Sequence, residues 1–281
     1  MRILITGAKG MLGKHVVRAC SGEELLPVDI DDFDIADADA TEKAMARFKP
    51  EAVIHCAAYA AVDQAEAEPD AAFRANAAGS ASVAGACQRH GARLIAISTD
   101  YVFSGTLHRP YHEWDAPDPH SVYGQSKLAG EEAVRALCPN HLICRIAWLY
   151  GAGGPSFLHA MLKLGAEDGP PLAVVRDQIG NPTSAKAVAA RLADLLHYPV
   201  AGTVHLTCEG QATWFDFATE IFALWGVQRE IVPCGTAEFP RPAPRPANSR
   251  LEKRMLRLLG LPPMPDWREA LRAFKERHPN G

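Results

Sequence analysis

Residues 3 to 13 read I-L-I-T-G-A-K-G-M-L-G. Ile3-Leu4-Ile5 is a short apolar run with turn chemistry directly behind it, the pattern of a strand buried on both faces of a parallel sheet. Gly7, Gly10 and Gly13 then spell G-x-x-G-x-x-G, and the run from Met11 to Cys20 predicts a helix. In that setting each glycine has a task. Gly7 permits a tight turn, Gly10 lets backbone approach a pyrophosphate, and Gly13 lets helix pack close to strand. The first helical residues, Met11 and Leu12, offer free N–H groups and the positive end of the helix dipole to phosphates. A glycine triplet alone is weak; between a strand and a helix it points to dinucleotide binding.

Further along, Leu25 to Val28 predicts a second strand ending at Asp29, whose carboxylate could accept hydrogen bonds from a ribose, with Asp34 and Ile35 farther along the same loop. Lys9, inside the glycine loop, could instead meet a 2′-phosphate, so NAD and NADP both stay open. Thr41 to Phe48 predicts a helix with Thr41 as its N-cap. The strand Ala52 to His55 runs into Ala57-Ala58-Tyr59, small residues against which a flat ligand could lie. A helix from about Asp70 to His90, a strand Leu94 to Ile97, a helix through Lys127 and a strand Leu142 to Ile146 continue the alternation. This rhythm predicts an α/β fold with a doubly wound, Rossmann-type parallel sheet. Ligands bind outside the carboxyl ends of such strands, where Gly7, Ala58, Thr99 and Trp148 would all lie.

At the fourth strand's end stands S-T-D-Y-V-F (98 to 103), and after a polar loop Y-G-Q-S-K (123 to 127). Tyr123 and Lys127, four apart, share one helix face. A hydroxyl at Thr99, a phenol and an ammonium are equipment for moving a proton on or off a carbonyl or alcohol oxygen, since a nearby cation favours the phenolate. Taken alone, Y-x-x-x-K reads as one exposed aromatic and one exposed lysine on an amphipathic helix. Convergence with the glycine turn on one crevice argues for the chemistry.

The composition excludes several classes. With 29 basic and 33 acidic residues the chain carries a net charge of −4 and no basic run, so nucleic acid and acidic membrane are not expected partners. Seven scattered cysteines, never spaced C-x-x-C, read as reduced thiols and give no metal site. No signal-peptide pattern or membrane-length apolar run is present, and the cytoplasm is the expected compartment.

The second half reads as a smaller C-terminal α/β substrate-binding domain. The expected division is 1–150 with roughly 184–206 for the dinucleotide, and 151–183 with 207–281 for substrate. Helices are predicted at Pro155 to Glu167, Ala185 to His197, from Trp214, near Leu251 to Leu259 and at Asp266 to Arg277, and a strand at Thr203 to Leu206 returns to the first sheet. Asp177 to Thr183 reads as a loop, and the proline-rich run from Pro233 to Pro246 as extended chain without regular structure. Beyond it Arg245 and Arg250 frame Asn248-Ser249, and an arginine there could clamp a diphosphate bidentately.

Seven stretches, G-A-K-G-M-L-G (7 to 13), A-A-Y-A-A-V-D-Q-A-E (57 to 66), S-T-D-Y-V-F (98 to 103), V-Y-G-Q-S-K-L-A-G-E (122 to 131), R-I-A-W-L-Y (145 to 150), D-Q-I-G-N-P-T (177 to 183) and R-P-A-N-S-R-L (245 to 251), carry a resemblance across nearly the whole chain. It resembles the extended short-chain dehydrogenase/reductases, and within them the dTDP-4-dehydrorhamnose reductases. The resemblance implies hydride transfer from NADPH or NADH to C4 of a 4-keto-6-deoxy sugar on dTDP. Tyr123 would protonate the oxygen, Lys127 would lower the Tyr123 pKa and hold the nicotinamide ribose, and Thr99 would donate to the substrate oxygen. Trp148 would lie along the sugar, with Asp100, Tyr101, Asn181 and Arg245 as further substrate contacts.

Two features depart from the pattern. Ala60 stands where the family usually has threonine, and His15 and Lys186 do not match the acidic side chains that hold magnesium between the subunits of some family homodimers. Sibling dehydratases place a glutamate where this chain has Tyr101, which argues for reduction. The alternatives are a reductase or epimerase of another nucleotide 4-keto-6-deoxy sugar, and a non-catalytic regulatory subunit resembling the methionine adenosyltransferase β subunit.

Overall fold

The computed structural model describes residues 1–280. Six strands form one all-parallel sheet: β1 (Arg2–Thr6), β2 (Glu24–Val28), β3 (Ala52–His55), β4 (Arg93–Thr99), β5 (His141–Ile146) and β6 (Gly202–His205), in the spatial order β6-β5-β4-β3-β1-β2. Alternation along β1 divides the core. Ile3 and Ile5 bury with Val16, Val188 and Leu192 on one face, while Leu4 buries with Met45, Val83 and Cys87 on the other. Burial on both faces is why these strands read as continuous apolar runs. Helices Met11–Ala19 and Ala185–Leu195 cover the first face, Ala38–Phe48 and Gly79–His90 the second.

The strand order reverses between β1 and β3, which opens a crevice at their carboxyl ends. Above it sits a second core built on Phe217, Trp267, Leu271 and Phe274. Its helix Trp214–Trp225 begins in a capping box made by Thr213 and Asp216. No helix among the described residues is long and apolar enough to cross a membrane.

Several local expectations are corrected. The second helix begins at Ala38, not Thr41: Asp37 caps it by accepting from the backbone N–H of Asp39 and Ala40, while Thr41 is buried inside the helix and donates to the Ile35 carbonyl. The expected single helix 70–90 is Pro69–Phe73, a π-helical turn Arg74–Ala78, and Gly79–His90. The extra residue of such a turn swings side chains out of α register, and here Asn76 faces inward. The proline-rich run is partly regular, because Ile231–Cys234 pairs in parallel with Leu172–Val175. The expected loop 177–183 holds Ile179–Gly180 and the first residue of Thr183–Ser184, two-residue strands.

Replacing the true cap tests the corrected boundary. Asp37→Ala should lower unfolding stability by about 1 kcal/mol, measured by urea denaturation; an unchanged midpoint would contradict the assignment.

Candidate active site

Gly7 directly follows β1 with φ +66, and a Cβ there would stand 2.6 Å from the Ala57 backbone nitrogen. The β1 and β3 termini therefore approach as closely as backbone allows, and only glycine tolerates both the angle and the contact. The helix that follows has Gly10 at its N-cap, with no side-chain cap and no acidic residue in its first turn. The N–H groups of Met11, Leu12 and Gly13 accordingly have no intrahelical acceptor and point at the crevice. Leu12 itself is buried, so it contributes backbone only. A cavity of about 330 Å³ adjoins this terminus, lined by Gly7, Gly10, Asp29, Asp34, Ile35, Ala57, Ala58 and Tyr59 among others.

At its rim Asp29 accepts from the backbone N–H of Lys9 (2.7 Å) and Ile30 (2.9 Å), keeping lone pairs for a ribose. Lys9 turns its ammonium to Asp31 at 2.7 Å. The Ala36 N–H and then Arg74 hold the Asp34 carboxyl below its usual pKa. Glycine turn, uncapped helix and acidic rim fit a nicotinamide dinucleotide.

Thr99 closes β4, and Tyr123 stands in the first turn of helix Val122–Leu137, which Ser121 caps by accepting from the Gly124 N–H at 3.1 Å. Lys127 follows one turn later, buried, its Nζ donating to the Ile97 carbonyl at 2.8 Å. The three expected catalytic groups thus meet beside the glycine turn. Burial pushes the Tyr123 phenol up to about 12, against a hydrogen bond with Thr99 that draws it down. Burial also brings Lys127 down to about 8, opposed first by Glu131 and then by Cys56. The hydrogen bond with Thr99 is what lowers the Tyr123 pKa against burial here, while the Lys127 ammonium, one helical turn away, donates to the strand carbonyl of Ile97.

Of the expected substrate contacts, Tyr101 packs edge-on against Tyr123 with ring centroids 5.5 Å apart. Arg245 sits over Tyr101 and pairs with Asp63 at 2.9 Å. Trp148 has a positive φ of 46, a strained angle for a bulky residue, and stacks on Trp214 at 3.5 Å. Its indole N–H donates to Ser249 Oγ at 3.0 Å, and Gly180 leaves the room it needs. Asp100 is 2% exposed, so it acts behind Thr99, whose hydroxyl donates to it at 3.0 Å. Burial raises the Asp100 carboxyl to about 7, against hydrogen bonds from Thr99 and Ser249.

Asn181 is corrected from a substrate contact to a structural tie. It is 3% exposed, donates to the Gly210 carbonyl at 2.6 Å and accepts from the Leu251 N–H at 2.8 Å. Arg250 likewise binds Asn248, Gln211 and the His108 carbonyl.

Sequence reasoning missed four contributors: Trp214 behind Trp148, Asp63 beneath Arg245, and the pair Glu131 and Arg145 under Lys127. Only Glu131 left a signal, since it continues the spacing of four from Tyr123 and Lys127.

A dinucleotide cradle with a Thr-Tyr-Lys set at the end of β4 defines a short-chain dehydrogenase/reductase of the extended kind. The chain belongs to the RmlD substrate binding domain family, whose model matches residues 1–278. It is 42% identical over 279 residues to the dTDP-4-dehydrorhamnose reductase of Mycobacterium tuberculosis, covering 96% of this chain and 91% of that one. It is also 42% identical over 279 residues to a probable dTDP-4,6-dihydroxy-2-methyloxan-3-one 4-ketoreductase of Streptomyces antibioticus, covering 97% and 94%. The crystal structure of dTDP-4-dehydrorhamnose reductase from Bacillus anthracis in complex with NADP superposes with a TM-score of 0.95 at 40% identity, covering 98% of this chain and 99% of that one.

Two measurements test this geometry. Gly7→Ala should weaken NADPH binding at least about tenfold, through both its forced angle and its clash; unchanged affinity in a fluorescence titration would contradict the close approach. Asp100 stays neutral in the fold where the unfolded chain, with a value of 3.8, is ionised. The stability it contributes is full below 3.8 and is lost as pH rises through about 7. Asp100→Asn should therefore gain in melting temperature over the parent progressively from about pH 4 to pH 8, and a gap independent of pH would contradict this.

Proposed function

We propose that this chain reduces the C4 keto group of dTDP-4-dehydro-L-rhamnose to dTDP-L-rhamnose with NADPH or NADH. In this reading, residues 1–150 with 184–206 bind the dinucleotide, and 151–183 with 207–281 bind the sugar nucleotide. The observation that carries it is the meeting of Thr99, Tyr123 and Lys127 beside the glycine turn, with Tyr101 where a dehydratase needs a second acid.

The glycine turn and the N–H groups of Met11, Leu12 and Gly13 hold the pyrophosphate, Asp29 takes a ribose, and Ala57, Ala58 and Tyr59 wall the cavity. When bound, the reduced nicotinamide supplies the hydride. Tyr123, kept protonated by burial, gives its proton to the C4 oxygen as charge develops there. The Thr99 hydroxyl, shared between Tyr123 and Asp100, turns toward the same oxygen and polarises the carbonyl. Lys127, one helical turn on and on the same helix face, would stabilise the phenolate left behind. Trp148, backed by Trp214, offers a flat apolar wall to the sugar, and Arg245 a bidentate donor to the diphosphate.

The Streptomyces antibioticus relative, equally similar and named for a different 4-keto compound, favours one second reading: the same reduction on another dTDP-linked 4-keto sugar.

Purified protein given NADPH and dTDP-4-dehydrorhamnose should oxidise the cofactor, and Tyr123→Phe should slow this at least about a hundredfold. No turnover with any dTDP-4-keto sugar, despite cofactor binding, would overturn the reading in favour of a regulatory role. Sugar conversion without net loss of NADPH would overturn it in favour of an epimerase.

A further inference from the structure

Helix Val122–Leu137 carries Tyr123, Lys127, Glu131 and Arg135 at a constant spacing of four, so they form one stripe against the sheet. Lys127 and Glu131 land on consecutive residues of β4. Lys127 Nζ donates to the Ile97 carbonyl, and Glu131 Oε1 accepts from Ser98 Oγ at 2.6 Å. Opposite Ser98 in the sheet register stands Arg145 of β5, whose guanidinium grips both Glu131 oxygens, Nε to Oε1 at 2.8 Å and Nη2 to Oε2 at 2.7 Å. Arg135 adds a contact from the solvent side at 2.6 Å. Glu131 is 4% exposed, Arg145 1% and Lys127 6%.

Three cations therefore surround one carboxylate, two of them out of water. We propose that Glu131 is a positioning residue for catalysis: its carboxylate, clasped by Ser98 and Arg145, is the counter-ion that keeps the Lys127 ammonium charged and aligned beneath Tyr123. This rests on the reading of Lys127 as part of the reducing site.

The surroundings of Lys127 leave no other candidate among the described residues. From the end of β3 it faces Cys56, whose thiol burial pushes up to about 12, and His55, which burial and then Lys127 bring down to about 3; both are neutral near pH 7. Beta-strand β4 presents the Ile97 carbonyl and the Ser98 hydroxyl, β5 presents the Arg145 cation behind Glu131, and its own helix presents the neutral Tyr123. Burial alone would raise the Glu131 pKa, but Arg145, Ser98 and Arg135 outweigh it and hold the carboxyl at about 2. A permanent anion one helical turn from a buried ammonium favours the charged form. With the anion removed, Lys127 and Arg145 would repel without a counter-ion, the costly arrangement for buried charge.

A titration of the Lys127 ammonium tests this without turnover. The full chain, labelled with ¹⁵N-lysine and bound to NADP, is followed by NMR through pH, with Lys127→Ala assigning the signal. Glu131→Gln should lower the Lys127 midpoint by about one pH unit or more, and Glu131→Asp should restore most of it. The alkaline limb of kcat should move in parallel. Arg145→Gln removes the clasp and a repelling cation but keeps the carboxylate, so it should raise the midpoint.

An unmoved midpoint in a folded Glu131→Gln protein would overturn the proposal and leave Glu131 as an anchor for Arg145. Should Glu131→Gln fail to fold, the arginine variant decides, and an unmoved or lowered midpoint there overturns it. Shifted midpoints in a protein that reduces no dTDP sugar would count against the proposed reaction and leave the role of Glu131 standing.

Discussion

The tie between helix Val122–Leu137 and the sheet sets where Thr99, Tyr123 and Lys127 stand relative to one another. Arg145 and Ser98 hold Glu131 from two neighbouring strands, and Lys127 reaches the carbonyl next to Ser98. Tyr123 stands one turn before Lys127 and so comes to Thr99, the last residue of the same strand. A buried ion pair is a poor source of net stability, because desolvation offsets most of its attraction. Its geometric value is different. A bidentate guanidinium fixes both the rotation and the height of the helix against the strands, which is what a proton donor at a strand end requires.

A second constraint, the close approach of β1 and β3, places the dinucleotide cradle beside that set. Gly7 lets the two strand ends touch, and the cavity bounded by Asp29, Asp34 and Ala58 opens from the contact. The upper part of the chain closes on the other side. Trp148 is strained in φ and stacked on Trp214, and Arg245 is held by Asp63 and lies over Tyr101, which packs edge-on against Tyr123. The pairing of Arg245 with Asp63 joins the proline-rich segment to the short helix Val62–Ala65 that follows β3.

What could be read from the sequence divides along the range of the interactions. The glycine turn, the strand rhythm and the Tyr123 to Lys127 spacing are local patterns, and each sits where the sequence predicts. Thr41 misleads because a threonine before an apolar run looks like a cap, whereas Asp37, farther out in an acidic stretch, takes the two free N–H groups. The π turn at Arg74–Ala78 leaves no mark in a run rich in alanine. Asn181 looks like a binding residue because it lies in a family-like motif, yet both ends of its amide are taken by backbone from Gly210 and Leu251. Glu131 and Arg145 were invisible as a pair for the same reason. Their meeting depends on a sheet register that brings residue 98 beside residue 145, and spacing along the chain contains no record of it.

These constraints converge on one chemical claim, that a hydride is delivered to the sugar carbon whose oxygen Tyr123 protonates. The most direct test is to supply NADPH deuterated at the transferable position with dTDP-4-dehydrorhamnose and to locate the label in the product by NMR. The account predicts deuterium at C4 of the sugar, one per cofactor consumed. Product lacking deuterium at C4, or formed while the cofactor stays reduced, would contradict it.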